Sequence, residues 1–209
     1  MKRKAKSGQN LINKKRRTSY NIRQDDVHKN HVNMSQANFL DGERDKIIIL
    51  DNVGFLTSSA LVKKGIDPSQ IIVVESDVSV YNKMKGSNSL NVRIVNDSVE
   101  DFLQTAKRMK ISALYFDFTG NSLSLKMFEK AIEAMKRHVV GNRIYISTTF
   151  SVGRRGVLQE HTLYNSSLDV MEKVFSEHSL ENGKYDYYYT YKRGRGMRMH
   201  YTQYVMVGR

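Results

Sequence analysis

The sequence predicts one α/β domain, in which helices cover both faces of a doubly wound, mostly parallel sheet that is closed by a C-terminal antiparallel β-hairpin. Short apolar runs alternate with helix-like segments from residue 46 onwards, and this alternation is typical of parallel strands joined by crossover helices. Two long tyrosine-rich runs near the C-terminus are separated by a glycine-bearing turn, which is the pattern of a hairpin. The chain of 209 residues is long enough for one such domain.

Five strands are predicted, and the continuous apolar, β-branched runs of the first two suit strands of a parallel sheet that are buried on both faces. These strands span residues 47–50, 71–74, 92–95, 112–116 and 143–148. Helices are predicted where apolar residues recur every three to four positions, or where capping residues bound a segment. They span residues 57–64, 99–109, 123–138 and 163–175, with a short helix or turn ending at residue 85. The hairpin comprises residues 185–192 and 197–207.

Positive charge is concentrated at the two ends of the chain. Residues 1–24 carry +9 and residues 192–209 carry +5, so the rest of the chain contributes −1 to the net charge of +13. Residues 1–24 have too few apolar residues to offset the entropy of ordering, and we expect a disordered basic tail there. A linker or helical lid over 25–45 and the folded domain over 46–209 follow. Because Lys and Arg release counterions when they bind phosphates, this distribution predicts nucleic acid as a partner.

The basic tail holds two clusters, residues 2–6 and residues 14–17, which are separated by a neutral spacer. This spacing resembles a bipartite nuclear localisation signal and predicts a nuclear protein. A nonspecific arm that binds nucleic acid would use the same charges, so both interpretations stay open.

Several classes of site are excluded or unexpected. The chain has no cysteine, which excludes disulfides, thiolate metal sites and a cysteine nucleophile. The six histidines show no zinc-site spacing, so we expect no metal. No apolar stretch approaches the roughly 20 residues that cross a bilayer, so we expect a soluble protein that is not secreted and has no membrane partner.

Polar residues follow each of the first four predicted strands, at the edge where a doubly wound sheet binds its ligands. A glycine at position 54 lets the backbone approach a ligand closely, and an acid at position 75 can accept hydrogen bonds from both hydroxyls of a ribose. A polar side chain at position 97 or 98 can meet an adenine amine, and Asp51 or Asp117 can face a cationic group. Any one of these acids is by itself more often a helix cap or a turn residue.

At these residues the chain resembles the class I S-adenosylmethionine-dependent methyltransferases, which have a Rossmann-like fold. The segment LDNVGFLTSSALVKKGIDPSQIIVVESD is similar to the family's first two motifs, VRIVNDSVEDF to the third and ALYFDFTG to the fourth. The resemblance implies an enzyme that binds S-adenosylmethionine and methylates nucleic acid, RNA rather than DNA, with Asp117 as the catalytic residue. The donor-binding residues that it implies are Asp51, Asn52, Gly54, Glu75, Asp77, Asp97 and Ser98.

Three alternatives to a nucleic-acid methyltransferase stay open. The first alternative is a catalytically inactive domain that binds nucleic acid or serves as a partner subunit. It stays open because the first loop has only Gly54 where the family commonly has several glycines. A protein methyltransferase is the second. An NAD-dependent enzyme is the third and is disfavoured, because the three-glycine fingerprint of such enzymes is missing.

Aromatic and basic residues suggest how nucleic acid would be held. The stretch 117–120 resembles the tetrapeptide of enzymes that methylate amino groups of nucleic acids, and Phe118 then either stacks on a base or packs in the core. The hairpin tyrosines either stack on bases or, as we favour, pack across strands. The residues predicted to bind nucleic acid are Arg154 and Arg155 after the fifth strand, and Arg193 and Arg195 in the hairpin turn. A solvated loop is the alternative for the first pair.

Overall fold

A computed structural model describes residues 27–40, 45–118, 122–151, 157–183, 187–193 and 197–208 of the chain. The predicted tail over 1–24 therefore lies outside the described residues, as do Arg154, Arg155 and Arg195. Within the described part, no helix is long and apolar enough to cross a membrane.

Six helices and eight strands alternate along the described chain. The helices are α1 Val27–Phe39, α2 Leu56–Lys63, α3 Val78–Ser87, α4 Val99–Thr105, α5 Ser122–Ala134 and α6 Val157–Ser176. The strands are β1 Lys46–Ile49, β2 Ile71–Glu75, β3 Arg93–Asn96, β4 Lys110–Asp117, β5 Val139–Ser151, β6 Leu180–Asn182, β7 Tyr187–Arg193 and β8 Met197–Gly208. Short 3-10 turns at Pro68–Gln70 and Met135–Arg137 precede β2 and β5.

All eight strands form one sheet. Its order is β3-β2-β1-β4-β5-β8, and β6 and β7 both pair with the outer edge of β8. The five strands from β1 to β5 are parallel, whereas β8 runs antiparallel to β5, β6 and β7. This arrangement confirms the prediction of a doubly wound, mostly parallel sheet closed by a C-terminal antiparallel hairpin.

Side chains on the two faces of the sheet belong to two separate cores. One face packs against α4, α5 and α6 through residues that include Ile48, Leu114 and Ile146. The other face packs against α1, α2 and α3 through residues that include Ile47 and Tyr115. The alternation along each strand explains this division, because successive side chains point to opposite faces. β1 and β2 are therefore apolar and buried on both faces, as their continuous apolar runs predicted.

Two features differ from the sequence-based expectation, and the state of residues 27–39 is one that the sequence left open. The helix predicted over 99–109 ends at Thr105, because Ala106 adopts an extended conformation and Met109 pairs with the start of β5. Residues 27–39 of the predicted linker or lid form α1. The strand β6 was not predicted, since its three residues are too few to show a pattern.

Candidate functional site

The strand register brings polar residues from four neighbouring strands to one rim of the sheet. Ile49 of β1 is paired with Val73 of β2 and with Tyr115 of β4, and two residues further along these partners come Glu75 and Asp117. Asn96 of β3 is paired directly with Glu75. Asp51 follows β1, whose pairing with β4 continues to Leu50. Because neighbouring strands lie about 4.8 Å apart, the rim that we call the polar rim consists of Asn96, Glu75, Asp51 and Asp117.

The carboxylate of Asp51 is bonded to the loop and helix that follow it. Its Oδ1 accepts a hydrogen bond from the Asn52 amide at 2.9 Å, and its Oδ2 accepts from the Ser58 amide at 2.8 Å and the Ser58 hydroxyl at 2.7 Å. An acid at the start of a helix is favoured by the amides exposed there and by the helix dipole. Asp51 therefore fixes the start of α2 relative to the end of β1.

The loop from Asn52 to Phe55 is a tight turn. The Asn52 side-chain oxygen accepts a hydrogen bond from the Gly54 amide at 2.7 Å, and the Phe55 amide donates to the Asn52 carbonyl at 2.9 Å. A Cβ at Gly54 would lie 3.0 Å from that side-chain oxygen, so the turn favours glycine there. Phe55 follows in the left-handed region, with φ 48° and ψ 40°, a conformation that costs a residue with a side chain more than it costs glycine.

Glu75 ends β2 and is partly buried. Burial raises the pKa of the Glu75 carboxyl above its ordinary value, and the hydrogen bond from the Asp77 amide to Oε1, at 2.7 Å, opposes that shift. A carboxylate offers about four lone-pair sites, and backbone amides from one side take only part of them. The chain thus places a partly desolvated acceptor at the centre of the polar rim.

The predicted donor-binding residues Asp77, Asp97 and Ser98 make local hydrogen bonds at helix starts. Asp77 caps α3 by accepting from the Ser79 and Val80 amides at 2.8 and 3.1 Å. Asp97 accepts from the Ser98 amide at 2.9 Å, and the Ser98 hydroxyl oxygen accepts from the Asp101 amide at 3.2 Å to cap α4. All three lie near the polar rim, where Asp77 and Ser98 are helix caps and Asp97 accepts from the amide of the Ser98 cap.

Asp117 is the last residue of β4, and it lies beside Thr149 of β5 in the parallel register. The next residue, Phe118, is 4% exposed and stacks between Phe116 and Phe150, with ring centroids 5.5 and 5.6 Å away. Of the two interpretations of Phe118, the structure bears out packing in the core. The hairpin residues Tyr201 and Tyr204 are also fully buried.

Sequence reasoning missed that α1 covers the face of the sheet next to Asp117. The side-chain amide of Gln36 donates to the Ser147 hydroxyl at 2.8 Å, and the Tyr115 hydroxyl donates to the backbone carbonyl of Gln36 at 2.9 Å. The Thr57 hydroxyl donates to the side-chain oxygen of Asn33 at 3.1 Å. The signal for this docking is weak in the sequence, because the buried face of α1 mixes apolar Val32 and Ala37 with polar Asn33 and Gln36 and shows no continuous apolar stripe.

The remaining features lie away from the polar rim. Arg193 ends β7 and pairs with Met197 across the hairpin. A groove of about 650 Å³ lies between α4, α5 and α6, and its lining includes four carboxylates, those of Glu100, Asp101, Glu129 and Glu133. Among the described residues, no group of three or more His, Asp or Glu side chains could hold a metal ion.

No protein-family model matches the sequence, and no curated protein matches it. Solved structures do match. M. jannaschii TYW2 in complex with AdoMet is 12% identical over 87% of this chain and 77% of that chain, with a TM-score of 0.55. The Methanococcus jannaschii fibrillarin pre-rRNA processing protein is 11% identical over 86% and 76%, with a TM-score of 0.53. The ribosomal protein L11 methylase from Lactobacillus delbrueckii subsp. bulgaricus is 11% identical over 87% and 79%, with a TM-score of 0.50.

These likenesses confirm the fold that the sequence predicted. The chain has the Rossmann-like fold of class I S-adenosylmethionine-dependent methyltransferases, over most of its length and most of the length of the proteins it matches. At 11–12% identity they concern the fold and not the acceptor.

Proposed function

We propose that this protein is an S-adenosylmethionine-dependent methyltransferase that acts on nucleic acid, with RNA as the favoured acceptor. The observation that carries the proposal is the polar rim, where Asn96, Glu75, Asp51 and Asp117 lie in register at the carboxyl ends of four neighbouring strands. Ligands of doubly wound sheets bind at this edge, and the chain shares its fold with a protein solved in complex with AdoMet.

The residues at the rim fit the parts of an adenosyl group. Glu75 keeps acceptor capacity beyond its bond with the Asp77 amide, and it would bind the ribose hydroxyls. The tight turn at Asn52 and Gly54 would approach the rest of the nucleoside and its amino-acid end, while Asp97 and Ser98 flank the adenine position. When bound, the donor supplies a methyl group on a cationic sulfur.

Asp117 would act on the acceptor. As a carboxylate at the end of β4, it can accept hydrogen bonds from the attacking amine or hydroxyl and orient its lone pair. The mechanism is direct displacement, in which positioning contributes most of the rate and no covalent intermediate with the protein is formed.

Charge supports nucleic acid as the acceptor. The net charge of +13 comes from residues 1–24 and 192–209, which would contribute affinity for phosphates whatever the base sequence. The groove between α4, α5 and α6 is lined by four carboxylates and Lys130 and offers no excess of positive charge, so the nucleic acid would reach the rim from the α1 side or from the hairpin. The fibrillarin match, a pre-rRNA processing protein, favours RNA.

Two other functions each have an observation in their favour. The first loop has one glycine, and the Asp51 carboxylate is bonded to Ser58 at the start of α2. Both features would suit a catalytically silent domain that binds nucleic acid or serves as a partner subunit. The match to a ribosomal protein methylase favours a protein acceptor.

Calorimetry with S-adenosylmethionine tests the proposal first, because a silent domain that has lost the donor site would give no heat. Transfer of a labelled methyl group to RNA, DNA and protein pools then identifies the acceptor. In Asp117→Ala we expect donor binding to be retained and turnover to be lost. Labelling of protein alone would replace the nucleic-acid proposal with the protein methyltransferase.

We further propose that residues 1–24 direct the protein to the nucleus through the basic clusters at 2–6 and 14–17. A fluorescent protein carrying these residues should accumulate in nuclei, and replacing the second cluster with alanine should abolish the accumulation. Unchanged distribution in the alanine variant would favour a role for the tail in binding nucleic acid alone.

A further inference from the structure

The face that α1 presents to the sheet is half polar, since Val32 and Ala37 are buried on it together with Asn33 and Gln36, and this polar share is unusual for a docked helix. Asn33 and Gln36 are both 3% exposed, and they contact polar groups on α2, β4 and β5. Several side-chain atoms in this interface are closed to solvent and have no hydrogen-bond partner in the part of the chain that the structure describes. These atoms are Asn33 Nδ2, Gln36 Oε1, Thr149 Oγ1 and Gln203 Nε2.

Unpaired buried polar atoms are rare in folded proteins, because each loses its bonds to water and gains nothing in return. Four of those among the described residues lie under α1, beside the residue that we place at the methyl acceptor, and others, such as the hydroxyls of Ser112 and Ser167, lie elsewhere. A polar ligand that bonded to them would remove this penalty. Their position relative to Asp117 therefore indicates which class of ligand would bind them.

Two contacts fix the level of α1 along the sheet. Gln36 bonds to Tyr115 and Ser147, which are register partners on β4 and β5. Four residues earlier, Val32 packs on Tyr201 of β8, whose register partner is Thr149. Four helical residues rise about 6 Å, and two strand residues rise about 6.6 Å. The first turns of α1 therefore lie at the level of Asp117 and Thr149.

Asn33 is bonded to the start of α2, the helix that follows the loop where we propose that S-adenosylmethionine binds. Its Oδ1 accepts from the hydroxyl of Thr57, in the first turn of α2, at 3.1 Å. That bond fixes the orientation of the amide and leaves Nδ2 as a donor without a partner among the described residues. Asn33 thus offers a hydrogen-bond donor in the turns of α1 that lie at the level of Asp117, whose carboxylate can accept.

Thr149 is the immediate neighbour of Asp117 across the sheet. The two residues are register partners, so their side chains point to the same face, about 4.8 Å apart along the hydrogen-bonding direction. Thr149 is 1% exposed, and its hydroxyl has no partner among the described residues. A valine would fill nearly the same volume, so packing does not explain the hydroxyl.

We propose that Asn33 and Thr149 bind the methyl-accepting nucleobase beside Asp117. A base presents a donor next to an acceptor along its hydrogen-bonding edge, which complements Asp117 as acceptor and Asn33 as donor. Since both free atoms are closed to solvent, the base enters when the first turns of α1 move away from β5. This inference rests on the proposed function, and it assigns α1 to the part of the active site that binds the methyl-accepting base.

The test compares Thr149→Val and Asn33→Asp with the wild type. For Thr149→Val we expect the melting temperature to be unchanged or to rise by up to about 4 °C, because an unpaired buried hydroxyl is removed. We expect kcat/KM for methyl transfer to single-stranded RNA to fall about tenfold. A residue with a structural role alone would lower the melting temperature and leave kcat/KM intact at lower temperature.

Asn33→Asp keeps the acceptor for Thr57 and replaces the free donor with an acceptor. We expect at least a roughly tenfold loss in kcat/KM with RNA, mainly through KM, and unchanged affinity for S-adenosylmethionine by calorimetry. The matched control is Asn38→Asp, because Asn38 is exposed on the same helix, and it should behave as the wild type.

The outcomes separate this inference from the proposed function. If the wild type methylates RNA and both variants keep its kcat/KM, the assignment of α1 is wrong and the methyltransferase proposal stands. A drop in melting temperature of more than about 4 °C in Thr149→Val would also overturn the assignment, because the hydroxyl would then be structural. If the wild type binds no donor or labels no RNA, the proposed function fails and this inference fails with it.

Discussion

Glu75→Gln is the substitution that bears most directly on the donor site. The glutamine keeps one oxygen, which can still accept from the Asp77 amide as Glu75 Oε1 does at 2.7 Å. The other oxygen becomes an NH₂ group that cannot accept a hydrogen bond from a ribose hydroxyl. Local geometry is therefore preserved, while the charge and half of the acceptor capacity are lost.

The expected loss follows from the hydrogen bonds removed. A hydrogen bond to a charged group contributes about 1.5–3 kcal/mol, and a neutral one about 0.5–1.5 kcal/mol. Losing one charge-assisted bond and weakening a second lowers donor affinity by about 2–3 kcal/mol, which is about 30- to 150-fold. The free energy of unfolding should not fall, because burial raises the pKa of the Glu75 carboxyl and so disfavours its charged form.

Isothermal calorimetry with S-adenosylmethionine measures the change, and Glu129→Gln is the control, since Glu129 lies on α5 across the sheet from the rim. Because the charged carboxylate is the acceptor, wild-type affinity should fall as pH drops through the raised pKa of Glu75, and the variant should not show this dependence. A dissociation constant within about threefold of the wild type, or an unaltered pH profile, would refute the role of Glu75 as the ribose-binding acid.

Three further predictions concern the scaffold. Phe55→Gly should relieve about 1–2 kcal/mol of left-handed strain and lose about 3–5 kcal/mol of burial, so the melting temperature should fall; a rise would mean that strain outweighs packing. Tyr115→Phe should cost about 1–2 kcal/mol by leaving the Gln36 carbonyl without this donor. Faster hydrogen exchange confined to α1 would report its loosening. Burial lowers the pKa of His138, so stability present above about pH 6.5 should be lost as pH falls through the folded pKa. Denaturant melts of His138→Gln should show a flatter profile.

The sequence predicted the parts of the fold that depend on local pattern. The runs at 47–50 and 71–74 became β1 and β2 because each is apolar on both faces, and only a covered parallel strand accommodates that. The hairpin followed from its length and glycine-bearing turn. The polar rim followed from the rule that ligands meet the carboxyl ends of such strands. The register of β1, β2 and β4 then places Glu75 and Asp117 as that rule requires.

Other parts depend on contacts between residues far apart in sequence. The buried face of α1 combines Val32 and Ala37 with Asn33 and Gln36, and it docks partly through hydrogen bonds to Ser147, Thr57 and Tyr115. A sequence pattern cannot reveal a helix that docks through such bonds. The end of α4 is also set from a distance, since Met109 donates and accepts bonds with residues at the start of β5.

Hydrogen bonds in the folded chain distinguish acids that folding alone explains from acids that it does not, a distinction that the sequence could not make. Asp77 and Asp51 accept from helix-start amides, so folding alone accounts for them. Glu75 differs, because burial at the end of β2 disfavours its charge, and a chain selected for stability alone would favour a neutral residue there. Thr149 resembles Glu75 in this respect, since its buried hydroxyl bonds to nothing in the described part of the chain. Glu75 lies where we propose that the methyl donor binds, and Thr149 lies where we propose that the base binds, so the groups that cost the fold stability are the ones that these two ligands would use.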